Sequence, residues 1–265
     1  VGSEMCIRDR WNDVFVLAGA IGILIAIVWM AVYADPPKEI LDVTLSESAA
    51  NRHHGKAFTW GGLWKTRTLW GVLLIRFVSD PVWYFCLFWL PGYLQEDSGL
   101  TLIQVGWVGW IPFLFGAVGG VLTSAWSDKM VRKGMDPLRA RKRMMTLVAV
   151  AAPLCIFTPY FNALPPYWNV AAIIASFSLI AIMCLSWLYT ICVVIAEAFP
   201  VKNVASVVGI TAGAGAVGGA VFNIFIGSLL VTMGNVLFAV MGVMHLVTAV
   251  ILWRMVRHET PKTVK

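Results

Sequence analysis

Long apolar runs, interrupted by short polar or Pro, Gly and Asn segments, organise the 265 residues. Residues 14–34, 98–127, 144–196 and 203–253 carry no charged side chain, and 68–95 would join them but for Arg76 and Asp80. A helix crosses a bilayer with about 20 apolar residues, so 144–196 and 203–253 are each too long for one crossing. Turn chemistry divides them: Asn162-Ala163-Leu164-Pro165-Pro166 breaks the first and Met233-Gly234-Asn235 the second. The pattern predicts an all-α integral membrane protein with seven transmembrane helices. One lies alone within 11–34 and is followed by a polar linker, 35–67. Six more crossings follow, near 69–94, 104–126, 144–161, 169–196, 204–231 and 235–255, within a six-helix unit spanning 68–258.

Composition agrees. The chain is 59% hydrophobic and 13% charged, with a mean hydropathy of +0.79, whereas soluble domains are about one quarter charged. Charge then sets the expected orientation. Lys38, Arg52, Lys56, Lys65 and Arg67 precede the second span, seven Lys and Arg lie between Lys129 and Arg143, and Lys202, Arg254, Arg257, Lys262 and Lys265 fall on the same side. The loops around Glu96, Pro165 and Gly234 have none. The positive-inside rule puts the linker, the 128–143 loop and the 259–265 tail in the cytoplasm. This asymmetry accounts for the net charge of +6 and suits anionic lipid headgroups, not nucleic acid. Cys86, Cys155, Cys184 and Cys192 sit in apolar spans without metal-ligand spacing, so neither disulfides nor a metal is expected. Residues 1–10, VGSEMCIRDR, have no apolar signal core; they resemble sequencing-adapter read-through and are set apart as an artefact.

Arg76 and Asp80 carry the candidate chemistry. At 1.5 Å per residue, a helix entering the bilayer near Arg67 buries Arg76 roughly 13 Å deep, near the middle of a core about 30 Å thick. A charge at that depth is penalised by about 2.5 to 3.5 kcal/mol on insertion scales and marks a pathway or a paired site. Four residues apart, Arg76 and Asp80 share a helix face with Trp83, Tyr84, Leu87 and Pro91. Aromatic rings suit the C–H faces of sugars, and the guanidinium fork suits carboxylate or phosphate. Pro81 is expected to loosen the backbone beside Asp80. The alternative is a structural ion pair in which Asp80 only neutralises Arg76.

Further candidates lie elsewhere. Trp187 and Tyr189 are candidate substrate contacts, whereas Ser186 and Thr190 can simply bond the preceding turn. Asn223, in a glycine-rich span, either joins helices or binds substrate. His245 is read as a neutral residue, with proton relay as the alternative. Glu197 lies beside Pro200 and Lys202, either solvated at a helix end or in a gating ion pair. In the 128–143 loop, Asp128 can cap a neighbouring helix N-terminus while Arg132 and Arg141 lock a gate.

Gly116-Ala117-Val118-Gly119-Gly120-Val121, in the second of the six spans, recurs as Gly215-Ala216-Val217-Gly218-Gly219-Ala220 in the fifth. Copies three crossings apart run in opposite directions, as in a 3+3 inverted repeat. With RFVSDPVWYFCLFWLPGYL and the Ser127-Asp128 loop, these motifs resemble the anion:cation symporter branch of the major facilitator superfamily, nearest the hexuronate transporters. The resemblance covers roughly 11–258. It implies that the lone helix is the sixth of twelve, that the linker is the central cytoplasmic loop, and that the six spans form the C-terminal half of a multi-pass protein of the bacterial inner membrane. It further implies proton-coupled uptake of sugar acids by alternating access, with sodium as the other coupling ion, no cofactor, and an absent N-terminal half as partner. Arg76, Asp80 and Asn223 fall where the family presents polar groups to its cavity. Two other readings stand beside it: an intramembrane or lipid-modifying enzyme, for which no HExxH or similar constellation exists, and a nonfunctional truncated product.

Overall fold

The computed structural model describes residues 11–34, 57–233 and 236–259, all helix, turn or coil without a strand among them. The expected artefact at 1–10, most of the linker with His53 and His54, the Gly234-Asn235 turn and the tail beyond Glu259 lie outside the described residues. Two compact units are distinguished, one up to residue 51 and one from residue 52 onward. Helix α1, Trp11–Val32, belongs to the first. Its described side chains are exposed on every side, as befits a helix that lipid or protein must cover.

The second unit holds a short α2 (Trp60–Leu63), α3 (Arg67–Glu96), α4 (Leu102–Val108), α5 (Ile111–Arg132) and α6 (Pro137–Ala151). After α6 come a 3-10 segment (Ala152–Ala163), α7 (Pro166–Ala198), α8 (Val201–Met233) and α9 (Val236–Met255). Seven helical stretches among the described residues are long and apolar enough to cross a membrane. That is the number expected, and the Asn162 to Pro166 break falls between two of them.

Two spans differ from expectation. The third begins at Pro137, so Arg139, Arg141, Lys142 and Arg143 ride on a helix and not in a loop. The Asp136 side chain accepts from the Arg139 N–H, and Pro137 sits at the first helical position, a strong start signal that apolar counting overlooks. The second span is interrupted at Gly109 and Trp110, where α4 ends and α5 restarts with Pro112 in its first turn. Thr101 and Gln104 close a reciprocal capping box at the start of α4.

The most extensive packing joins α5 to α7 and α8 to α3. Exchanging the first three crossings with the last three converts one pair into the other, as an inverted repeat requires. The echoed glycines carry the symmetry down to single contacts. A Cβ on Gly119 would strike Ile182 at 2.7 Å and one on Gly120 would strike Tyr189 at 2.7 Å; on Gly218 and Gly219 it would strike Phe77 and Tyr84 at 2.2 and 2.1 Å. Phe77 and Ile182 are 105 residues apart, and so are Tyr84 and Tyr189. Close helix approach through small residues is therefore repeated at equivalent sites.

The apolar core of the second unit falls into two blocks. Leu69, Ile75, Met145, Trp187, Val194 and Leu252 belong to one; Phe85, Leu90, Phe177, Ile180 and Phe238 belong to the other. Between them, four helices turn polar or small: Arg76 and Ser79 on α3, Ser186 on α7, Thr211 and Gly215 on α8, and His245 on α9, all buried.

The glycine contacts yield a direct test. Gly218→Ala places a methyl against the Phe77 carbonyl and should destabilise the purified protein by the roughly 1 to 3 kcal/mol typical of overpacking, read as a lower thermal unfolding midpoint. Gly213→Ala, where nothing lies within 4 Å, should leave it unchanged or slightly raised.

Candidate functional site

Arg76 and Asp80 sit one turn apart on α3, with Arg76 Nη2 3.1 Å from Asp80 Oδ2 and both side chains almost wholly buried. Ser79 Oγ donates to Asp80 Oδ1 at 3.3 Å. Arg76 Nη1 is buried and has no hydrogen-bond partner, so the pair satisfies only part of the guanidinium. Helix α8 makes room for it: a Cβ on Gly215 would lie 1.9 Å from Asp80 Oδ2. Pro81 does not break α3, which runs on to Glu96. It lacks the N–H that would bond the Phe77 carbonyl, and that carbonyl is the group pressed against Gly218.

Other predicted residues distribute unevenly. Tyr84 lies against Gly219 and stacks on Phe88 at 6.0 Å, while Trp83 meets Phe113 of α5 edge-to-face at 5.7 Å. Asn223 joins α8 to α3: its Oδ1 accepts from Trp89 Nε1 at 3.2 Å and its Nδ2 donates to the Gly219 carbonyl at 2.8 Å. Trp89 was not anticipated, since nothing along α3 singles it out until α8 is placed beside it. Tyr189, partly exposed, occupies the repeat-equivalent position of Tyr84 on α7, against Gly120. Trp187 is not brought to this face. It is buried in the core, with its Nε1 on the Met145 carbonyl at 3.1 Å and its ring edge-on to His245 at 5.6 Å. Ser186 accepts from Thr123 Oγ1 of α5 at 2.9 Å, linking two helices in addition to any local role.

A second polar cluster lies at the basic end of the helices, centred on Arg141 of α6. Its Nη1 is 2.5 Å from Asp128 Oδ1 and also donates to Ser127 Oγ, and its Nε donates to Glu197 Oε1 at 3.2 Å. Glu197 is thus in the ion pair and not a solvated helix end, because α6 begins early enough to carry Arg141 under α7. Asp128 is engaged by Arg141 within its own unit. Arg132 is exposed and stands apart from this cluster. Beside it, Lys142 Nζ donates to the Val256 carbonyl at 2.5 Å, and the Glu259 N–H donates to the Ala198 carbonyl at 2.8 Å, tying the segment after α9 across α6 and α7. At the opposite end, burial and the neighbouring Glu96 hold the Asp97 carboxyl above its ordinary range, against a hydrogen bond from Asn162.

Residues 2–193 match the family model of the Major Facilitator Superfamily. The chain belongs to that superfamily. The glycine-mediated symmetry is then the inverted repeat nested in one half of a major facilitator fold. Among its curated relatives, the probable L-galactonate transporter of Escherichia coli is 34% identical over 149 residues, which cover 53% of this chain and 32% of the relative. The hexuronate transporter of Escherichia coli is 25% identical over 267 residues, covering 96% of this chain and 60% of the relative. A D-galactonate transporter of Escherichia coli is 33% identical over 150 residues, covering 50% of this chain and 34% of the relative. The chain thus spans about 60% of the hexuronate transporter's length. The superfamily is one of transporters and not of enzymes.

Arg141 offers a test of the second cluster. Arg141→Gln leaves the largely buried Glu197 carboxylate without its cation and should lower unfolding stability by about 3 kcal/mol. Adding Glu197→Gln should recover part of that loss in the same thermal denaturation assay.

Proposed function

We propose that this chain forms the substrate-binding half of a secondary transporter for organic anions, taking up hexuronates or related sugar acids with a coupled proton by alternating access in a bacterial inner membrane. The observation that carries the reading is Arg76, a mid-span guanidinium, buried, paired to Asp80 and holding one nitrogen without a partner. A carboxylate presents two acceptor oxygens in the plane that such a fork addresses. Tyr84, Trp83 and Asn223 lie along the same α3 and α8 surfaces and supply aromatic faces and an amide for a sugar backbone. The relatives, transporters of hexuronate and galactonate by name, point to the same chemistry.

In this reading α1 is the last helix of a preceding bundle, which supplies the rest of the transporter. The Arg141 cluster with Asp128 and Glu197 is the gate at the cytoplasmic end. Rocking of the two bundles exposes Arg76 first to one side and then to the other.

Binding to the purified protein, followed by thermal shift or calorimetry, tests this. Galactonate and glucuronate should bind and neutral galactose should not, and Arg76→Gln should weaken the acids at least about tenfold, the loss expected for a charge-assisted contact. Equal binding by wild type and Arg76→Gln would remove Arg76 from the site. Once the chain is completed with the preceding helices, a pH gradient and not a sodium gradient should drive uptake into proteoliposomes.

A further inference from the structure

We infer that Asp80 is a proton-binding site of this protein, taking up one proton for each anion that docks on Arg76. The inference rests on the anion site proposed above and adds the place where the coupling ion is held. Position comes first. Asp80 is thirteen residues into α3 and sixteen from its end, whereas the other carboxylates of the described spans, Asp13, Glu96, Asp128 and Glu197, lie within about a turn of a helix end. No other acidic side chain among the described residues sits at comparable depth.

Among the described residues of the second unit, its surroundings contain one permanent charge. On α3 itself Asp80 faces Arg76 and Ser79, with the Tyr84 phenol one turn further on. From α8 it meets the Gly215 backbone, and between Lys202 and the end of that helix no side chain ionises. Helix α4 brings no ionisable group. Helix α7 brings Cys184, Tyr189 and Cys192 within the span and Glu197 at its end, and α9 brings His245 and, at its end, Arg254. Among the described residues of the second unit, the charge balance at this depth is therefore set by Arg76 and Asp80, to which an arriving anion adds its own charge.

That balance dictates coupling. With the site empty, guanidinium and carboxylate cancel. An anion that takes the free Arg76 Nη1 adds a second carboxylate to one guanidinium, and the site becomes net negative in a medium that tolerates no uncompensated charge. A proton delivered from the aqueous side to the Asp80 carboxylate restores neutrality, leaving a carboxylic acid, one guanidinium and one bound anion. A protonated site without anion is net positive and equally disfavoured. The two neutral states, empty and doubly loaded, are the ones suited to cross the membrane during alternating access. Proton and anion then bind with positive linkage, each raising the affinity for the other.

Calorimetric titration of the purified protein with galactonate, in paired buffers of different ionisation enthalpy, counts protons taken up per anion bound. The probe stays ionised above about pH 5, its carboxyl titrating near about pH 3.5. The wild type should take up close to one proton over part of the range from about pH 5 to about pH 8, with affinity falling up to tenfold per pH unit across that part and levelling off above it. Asp80→Asn should take up none and bind more tightly than wild type at the alkaline end, since a competing carboxylate is gone; loss of a merely structural residue would not tighten binding. Galactonate binding without proton uptake, or uptake that survives in Asp80→Asn, overturns this inference and leaves the anion site standing. Absence of binding by both galactonate and glucuronate overturns the two together. The wild-type proton count decides the matter even where Asp80→Asn does not fold.

Discussion

The burial of one guanidinium in the middle of a membrane helix constrains the rest of the second unit. Arg76 has to be neutralised nearby, and Asp80 one turn away does so at 3.1 Å. Two charged side chains on one face need space that no ordinary residue on the facing helix would leave. Helix α8 supplies that space with glycine where the carboxylate lies, and again one turn further where the carbonyl released by Pro81 protrudes. The order of residues in Gly215-Ala216-Val217-Gly218-Gly219 is thus an imprint of what α3 presents: carboxylate, then carbonyl, then the Tyr84 ring.

The inverted repeat reuses the imprint without the charge. On α7 the positions equivalent to Arg76 and Asp80 are Ala181 and Leu185, and Gly116 of α5 lies against both. At these positions the α5 and α7 contact is apolar, with the Thr123–Ser186 hydrogen bond beside it, whereas at the α3 and α8 contact α3 carries an ion pair. The backbone is thus symmetric while the buried ion pair belongs to one member of the repeat.

Much of this was legible in the sequence because membranes simplify the code. Length and apolarity alone identify crossings, and the Asn162 to Pro166 break announces itself. The paired glycine motifs expose the repeat before any contact is known. Arg76 and Asp80 stand out because charge at that depth is rare. What escaped detection depends on neighbours distant in sequence. Trp89 matters only because Asn223 of α8 is beside it, and Trp187, a plausible aromatic contact by composition, turns to the Met145 carbonyl. The early start of α6 escaped because a helix can extend past the bilayer, where hydropathy no longer marks it, and only the Asp136-Pro137 cap does.

The division of the core into two apolar blocks bears on how the protein tolerates sequence change. Substitutions in contact perturb one another, whereas those without shared neighbours add independently. The polar positions Ser79, Ser186, Thr211 and His245 fall between the blocks, so that each block is largely its own packing problem. Val148 packs against both. Among the described residues it is a position at which the history of one block is felt by the other.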